Sequence, residues 1–439
     1  MKKTLEQENN ILLNSFLKHT LLKGFENGIE NFNRLELYVN TKCNLNCKYC
    51  YLANYGEDLY PKEIQDSRII LKNLEIVLNW LIENKYHPDI DFFGGEPFSQ
   101  EISFKALNLI LNKFRKVKNK PQKIVIPTNY TFLISLEKTK RIEELIIYSR
   151  KVGIPITLSA SIDGKYCDKG NRPFKVNGKN TERDSDYYDK VFRFIKKYDF
   201  GFHPMIYSNL IEKWRDNFLW FQKNFKRFKI PFYSLYLLEV RNVEWAEREI
   251  KDYAEFISFL IEWTFINPCK RDKNLFLNFI RGSGYNTLRS SFTTIGRGLG
   301  CSLQSTLFVR LGDLAIGSCH RTFYPHLITS RFIVKDNKIR GIKSENPELF
   351  ITAMVFNTKN TPICENCLLK YLCSGGCLGS QFETTGDLFS PIPTVCQLEH
   401  AKIYAMIKTY KKLNLYNKIY SILNENKKNS LDLFNEIMS

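Results

Sequence analysis

The chain has 439 residues, 44% of them hydrophobic, with 12 cysteines and a formal charge of +18. That length and apolar content support a globular protein of two or three domains. The cysteines are too many for an ordinary soluble enzyme and the chain is too long for a disulfide-stapled secreted scaffold, which leaves metal or redox chemistry as the leading explanation. The positive charge is spread over helical, solvent-facing lysines without a compact basic motif, so no nucleic-acid partner is expected; at most the field favours an acidic partner such as an acidic peptide.

In chain order, residues 1–33 look helical, and Asn14 and Lys18 interrupt the apolar stretch that a signal peptide would need. No later run reaches the roughly 18 apolar residues that span a bilayer, so neither a membrane partner nor a membrane location is expected, and the thiols are placed in a reducing cytoplasm. From residue 34, strand-like and helical runs alternate, the pattern of a parallel sheet covered by helices. The first strand reads Leu35, Leu37, Val39 against Glu36, Tyr38, Asn40. Ile70, Leu71, Leu74, Val77, Leu78 and Leu81 then share one helical face.

Further strands are expected at 89–93, 123–127, 155–162, 201–207 and 232–240, giving six β/α units. The fold class is α/β: a partial (β/α)6, TIM-like barrel over 34–270, whose functional residues belong at the strand C-terminal ends. A small cysteine-rich α+β domain is expected over 271–410, where glycine, proline and cysteine cluster. Residues 1–33 form an N-terminal helical extension and 411–439 a Lys-rich helical tail.

Directly after the first strand, Cys43, Cys47 and Cys50 have C-x3-C-x2-C spacing, close enough for three thiolates to hold one cluster. A four-iron cubane with three protein ligands keeps one iron open for a cofactor or substrate. A zinc site short of its fourth ligand is the alternative. At the end of the second strand stand Gly94, Gly95, Glu96 and Pro97, which by themselves also suit a strand-ending turn. The third strand ends at Thr128 and Asn129, and the fourth at Ser161, Ile162, Asp163 and Gly164, each of which alone suits a turn or a cap.

Together these motifs resemble the radical S-adenosylmethionine (SAM) superfamily, with Tyr49 as the aromatic residue before the last cysteine. The resemblance implies that Cys43, Cys47 and Cys50 are catalytic cluster ligands. It implies that the Gly94–Pro97 motif binds the amino group of SAM through backbone and carboxylate. Ser161 and Asp163 would hold its ribose or carboxylate, with Asn129 and Arg172 as further contacts. It also implies a low-potential electron donor such as flavodoxin or ferredoxin.

Farther on, Cys364, Cys367, Cys373, Cys377 and Cys396 follow Cys301 and Cys319, and Gly375 and Gly376 allow the backbone to wrap a cluster. This group resembles the seven-cysteine SPASM domain of radical SAM enzymes that modify peptides; a zinc ribbon is the alternative, since Cys364 and Cys367 form a plain knuckle. By the resemblance Cys364, Cys367, Cys373 and Cys396 ligate one auxiliary cluster, and Cys301, Cys319 and Cys377 the other, for three [4Fe-4S] clusters in all. The inner auxiliary cluster is then one ligand short. An open iron for a substrate thiolate, Cys269, or His320 could fill that place, while Cys167 reads as an ordinary loop or core thiol.

Sulfatase-maturing relatives carry an aspartate base after the cysteine that matches Cys319; here the residue is His320, which could take a proton or hydrogen-bond a cluster sulfur. The stretches Cys377–Glu383 and Tyr207–Trp214 resemble maturases of CXXX-repeat precursor peptides. The substrate so implied is a ribosomally made peptide, Cys-rich in that reading, and the product a thioether or other radical crosslink. The alternatives are a dehydrogenase, epimerase or sulfatase-maturing-like enzyme that forms no crosslink, and a non-catalytic iron–sulfur or zinc protein.

Overall fold

A computed structural model describes residues 33–176, 179–181, 183–231, 234–266, 306–349, 362–370, 373, 376–421 and 425–438. The expected N-terminal helix, but for its last residue, lies outside them, as do Cys269, Cys301 and Gly375.

The barrel half runs β1 (Arg34–Asn40), α1 (Tyr51–Leu59), α2 (Ser67–Glu83), β2 (Asp89–Gly94), α3 (Glu101–Phe114), β3 (Ile124–Thr128), α4 (Leu136–Val152) and β4 (Ile156–Ala160). It continues through a one-turn helix α5 (Asp168–Asn171), the hairpin β5 (Phe174–Val176) and β6 (Lys179–Thr181), then α6 (Ser185–Tyr198), β7 (Gly201–Phe202) and β8 (Met205–Ile206). It closes with α7 (Trp214–Phe228), β9 (Leu238–Glu239) and α8 (Glu247–Ile266). Helix starts are set locally: the Asp66, Ser135 and Asp184 side chains cap α2, α4 and α6 by accepting from Arg68, Lys138 and Tyr187 N–H.

The C-terminal half contributes β10 (Thr306–Arg310), β11 (Ala315–Gly317), β12 (Ser330–Lys335) and β13 (Lys338–Ser344). Helices α9 (Pro362–Glu365), α10 (Leu378–Thr385), α11 (Pro393–Lys412), α12 (Tyr416–Ser421) and α13 (Glu425–Met438) follow. The two halves share one nine-stranded sheet, ordered β13-β12-β11-β10-β1-β2-β3-β4-β7. Strand β10 runs parallel to β1, with Leu307 opposite Leu35, and β10 to β13 form an antiparallel meander that extends the barrel wall.

That pairing explains a departure from the expected alternation in β1. Leu35, Leu37 and Val39 pack into the main core, but Glu36 and Tyr38 are buried as well, Tyr38 among Phe308, Cys319 and Phe323. Pairing to β10 sets Phe308 beside Tyr38, and Tyr60, Cys319 and Phe323 complete a second cluster over that face, so β1 is covered on both faces.

The expected strand at 201–207 is broken in two. Pro204 has no N–H to donate, and the next amide, Met205 N–H, leaves the ladder to donate to the Asp163 carboxylate at 2.8 Å. The wall continues past the break through bonds from Tyr236 N–H to Phe202 O (2.8 Å) and Val240 N–H to Ile206 O (2.8 Å).

Helix α11 lies along α8 and buries Val395, Leu398, Ile403, Met406, Ile407 and Tyr410. Lys402 is 1% exposed, paired to Glu399 at 2.6 Å and to Glu239 at 3.7 Å, so this lysine does not face solvent as the chain's charge pattern implied.

Candidate functional site

The loop that leaves β1 carries Cys43, Cys47 and Cys50 and is held by backbone on two sides. From β2, Gly95 N–H donates to Asn40 O (3.0 Å) and Glu96 N–H to Lys42 O (2.9 Å). From the other side, Asn46 N–H donates to Pro173 O (3.3 Å) and Lys48 N–H to Asn171 O (2.9 Å). A Cβ on Gly95 would collide with the Lys42 carbonyl, so only glycine lets the two chains touch.

Glu96 is buried at this junction, where it caps the turn that starts at Pro97. Its carboxylate accepts from Phe98 N–H (3.1 Å), Thr128 Oγ1 (2.7 Å) and Asn129 N–H (2.7 Å). Burial outweighs these three donors and lifts its pKa to about 7. Asn129 also binds the cysteine loop, donating from Nδ2 to Asn44 Oδ1 at 2.9 Å.

At the end of β4, Asp163 accepts from Tyr49 Oη (2.6 Å), Arg172 Nε (2.8 Å) and Met205 N–H (2.8 Å). The Arg172 guanidinium also lies 5.3 Å from the centre of the Tyr49 ring. The half-buried Tyr49 and the buried Asp163 and Arg172 therefore form one unit that orients the cysteine loop. Ser161 instead contacts His203, whose ring bridges two hydroxyls, Ser159 Oγ at Nδ1 (2.6 Å) and Ser161 Oγ at Nε2 (2.9 Å). Burial, aided by the Arg172 charge, drives the His203 pKa down to about 3, so the ring is neutral.

Cys43 reaches solvent. Burial, with the Glu96 charge next, pushes its thiol up to about 12. Burial lifts Cys47 to about 11 against the pull of Arg172, and Cys50 acts on both thiols. Two thiols that resist losing their protons, in one loop with a third cysteine, suit a cationic iron–sulfur group, which supplies the missing positive charge. Among the described residues no three His, Cys, Asp or Glu side chains converge tightly enough for a single metal ion. A cubane asks less, since it presents a separate iron to each thiolate. A cavity of about 390 Å³ opens beside Cys43, lined also by Phe98, Gln100, Phe132, Lys138 and Phe174.

The described cysteines of the second group lie on separate short segments: Cys319 after β11, Cys364 and Cys367 around α9, Cys373, Cys377 at the start of α10, and Cys396 in α11. Cys377 faces the Arg321 guanidinium, whose Nη1 stands 3.9 Å from its sulfur. Burial resists ionisation of Cys377, but the Arg321 charge overcomes it and lowers the thiol pKa. Cys367 Sγ and His400 Nε2 stand 4.0 Å apart. His320 is turned toward the barrel: its Nδ1 lies 2.8 Å from Glu36 Oε1, close enough for an ion pair though poorly angled for a hydrogen bond. Its ring stacks on Phe93 with centroids 5.0 Å apart. Burial alone would lower the pKa of His320, and the Glu36 charge raises it instead.

Residues 31–181 match the family described as a 4Fe-4S single cluster domain. The chain is 21% identical over 407 residues to the radical SAM cyclopropyl synthase TigE of Paramaledivibacter caminithermalis, covering 88% of this chain and 76% of that one. An uncharacterized protein of Methanocaldococcus jannaschii is 32% identical over 36% of this chain and 47% of its own length. The fold matches native anSMEcpe with bound AdoMet and the Cp18Cys peptide at a TM-score of 0.56 and 20% identity, over 88% of this chain and 99% of that one. The fold is thus that of the anSMEcpe structure, and over most of its length the chain is similar to a radical SAM enzyme.

The matched residues 31–181, which include Cys43, Cys47 and Cys50, point to one [4Fe-4S] cluster in this half of the chain. No helix among the described residues is long and apolar enough to cross a membrane. The sequence-level reading missed Glu36, Asn44, His203 and Arg321. Only His203 left a usable signal, as a polar ring at the C-terminal end of a barrel strand. The others take their roles from partners at least 40 positions away in the chain.

Proposed function

We propose that this chain is a radical SAM enzyme that matures a ribosomally synthesised precursor peptide, forming a thioether or another crosslink in it. The observation that carries this reading is the joining of three thiols and one buried carboxylate: the Cys43–Cys50 loop is bonded to the Gly94–Pro97 turn, and the Glu96 charge acts on the Cys43 sulfur. Thiolates are iron donors, and a desolvated carboxylate is a receptor for an ammonium group.

In this reading Cys43, Cys47 and Cys50 hold the [4Fe-4S] cluster. Glu96 and the Gly94–Gly95 backbone take the amino group of SAM, Ser161 its ribose, and the Arg172 charge favours its carboxylate. When bound, cluster and cofactor supply a 5′-deoxyadenosyl radical. The residues of the chain place and shield that chemistry: Tyr49, Asp163 and Arg172 fix the loop, and the 171–174 segment covers it. His203 holds the Ser161 hydroxyl in one orientation. His320, polarised by Glu36, is placed to accept a proton.

Two auxiliary clusters complete the reading, one on Cys364, Cys367, Cys373 and Cys396, the other on Cys301, Cys319 and Cys377 with one place open for a substrate thiolate. The peptide in the anSMEcpe structure supports a peptide substrate, and the name cyclopropyl synthase supports a bond-forming outcome. A low-potential flavodoxin or ferredoxin would deliver the electron.

The test is anaerobic reconstitution of the full chain with iron and sulfide, then addition of SAM, dithionite and a candidate precursor peptide. The expected result is 5′-deoxyadenosine together with a peptide lighter by two hydrogens, its cysteines resistant to alkylation. Unchanged peptide mass would point to epimerisation, and SAM cleavage by the C43A/C47A/C50A variant would overturn the cluster assignment.

A further inference from the structure

We propose that Arg321 is a positioning residue that raises the reduction potential of the cluster ligated by Cys377 and locks that ligand against the helix behind the first cysteine loop. The proposal rests on the auxiliary-cluster reading above. Arg321 is 13% exposed, and each part of its guanidinium is engaged. Nε donates to Glu383 Oε1 at 2.8 Å, and Nη2 contacts Glu383 Oε2. Nη1 donates to Ser380 Oγ at 2.9 Å and faces Cys377 Sγ at 3.9 Å.

The geometry has a direction. The Glu383 carboxylate, 1% exposed, grips one edge of the planar fork, so the opposite edge carries its N–H groups to Ser380 and to the sulfur. Arg321 therefore presents the positive end of a buried ion pair to a cluster ligand. A cluster gains negative charge on reduction, and a fixed cation beside its thiolate stabilises the reduced form.

The same side chain joins two regions that the sequence separates. The Arg321 guanidinium lies 5.1 Å from the centre of the Tyr51 ring, and Tyr51 directly follows Cys50. Arg321 also packs against Gly379, where any Cβ would strike its own Cβ, so α10 must carry glycine to come this near. Tyr60 Oη donates to the carbonyl of neighbouring His320 at 2.9 Å, holding the Cys319 turn to the same surface. The cation thus stands between the helix that follows the SAM-side cysteines and the cysteine that starts α10.

The experiment is an EPR-monitored redox titration of the anaerobically reconstituted full chain, with iron content measured on the same samples. R321Q/E383Q removes both charges without leaving a buried carboxylate unpaired, and is expected to lower the midpoint potential of one cluster while that of the SAM-binding cluster stays fixed. E383Q alone leaves the guanidinium unbalanced and is expected to move the same midpoint upward. R321K keeps the charge but loses the fork and should fall between wild type and the double variant. Identical midpoints in all four proteins at full iron content would overturn the role of Arg321 and leave the auxiliary clusters standing. A wild-type chain holding iron for a single cluster would overturn both, and the iron content separates the two failures.

Discussion

The two cysteine regions are held by different forces. The Cys43–Cys50 loop is fixed by backbone, with amides and carbonyls of β1, β2 and the 171–173 segment bonded directly, and glycine at position 95 permitting the contact. The second group is spread over several separate elements of the C-terminal half and is held through buried charges: Arg321 with Glu383 beside Cys377, and Arg241, Glu239, Glu399 and Lys402 between β9 and α11. A parallel sheet delivers a loop to its place chiefly through backbone hydrogen bonds, with the single Asp163–Arg172 pair added on one side, whereas the second cysteine region relies on several charged contacts.

The contrast is broken most severely at Lys402. Replacing it in K402M leaves Glu399 and Glu239 to share Arg241, and losing one partner of a buried pair costs about 3–5 kcal/mol; denaturant melts should show that loss.

Glu96 gives the next effect, through pH. Burial holds its pKa at about 7 against an ordinary 4.5, so between those values the folded chain binds a proton that the unfolded chain has released. Stability of the cofactor-free chain should fall as pH rises through that window, by on the order of 3 kcal/mol, and E96Q should remove that part of the slope. A melt series whose slope is the same in both proteins would contradict the burial argument.

In G95A, a methyl group meets the Lys42 carbonyl, and such overpacking costs about 1–3 kcal/mol. Thermal melting and iron loading should fall together, because the cysteine loop has to move. The smallest effect belongs to E101Q, which breaks the surface pair with Arg141. Both side chains are roughly half exposed, and a loss below about 1 kcal/mol is expected. A larger loss there would mean that surface charge holds the barrel as well, and the contrast between the two regions would fade.

Much of the barrel was legible because its signals are local. The period-two strand at Leu35–Val39 and the helical face from Ile70 to Leu81 depend on neighbours a few positions away, and both stand where expected. The cysteine spacing and the Gly94–Pro97 turn are short motifs and lie against each other. Asp163 was visible as a polar residue at a strand end and Arg172 through the family resemblance, but their mutual pairing was not, since spacing carries no direction for a side chain.

What the sequence by itself determined is the first four strands, the helical face from Ile70 to Leu81 and the cysteine motifs, since hydrophobic period and ligand spacing are properties of contiguous chain. Tertiary structure alone decided that β10 joins β1, that Lys402 is buried, that His203 bridges Ser159 and Ser161, and that Arg321 reaches both Tyr51 and Cys377. Each of these depends on pairing groups from distant parts of the chain in a place without water. There the choice of partner follows from burial and charge, which no local pattern encodes.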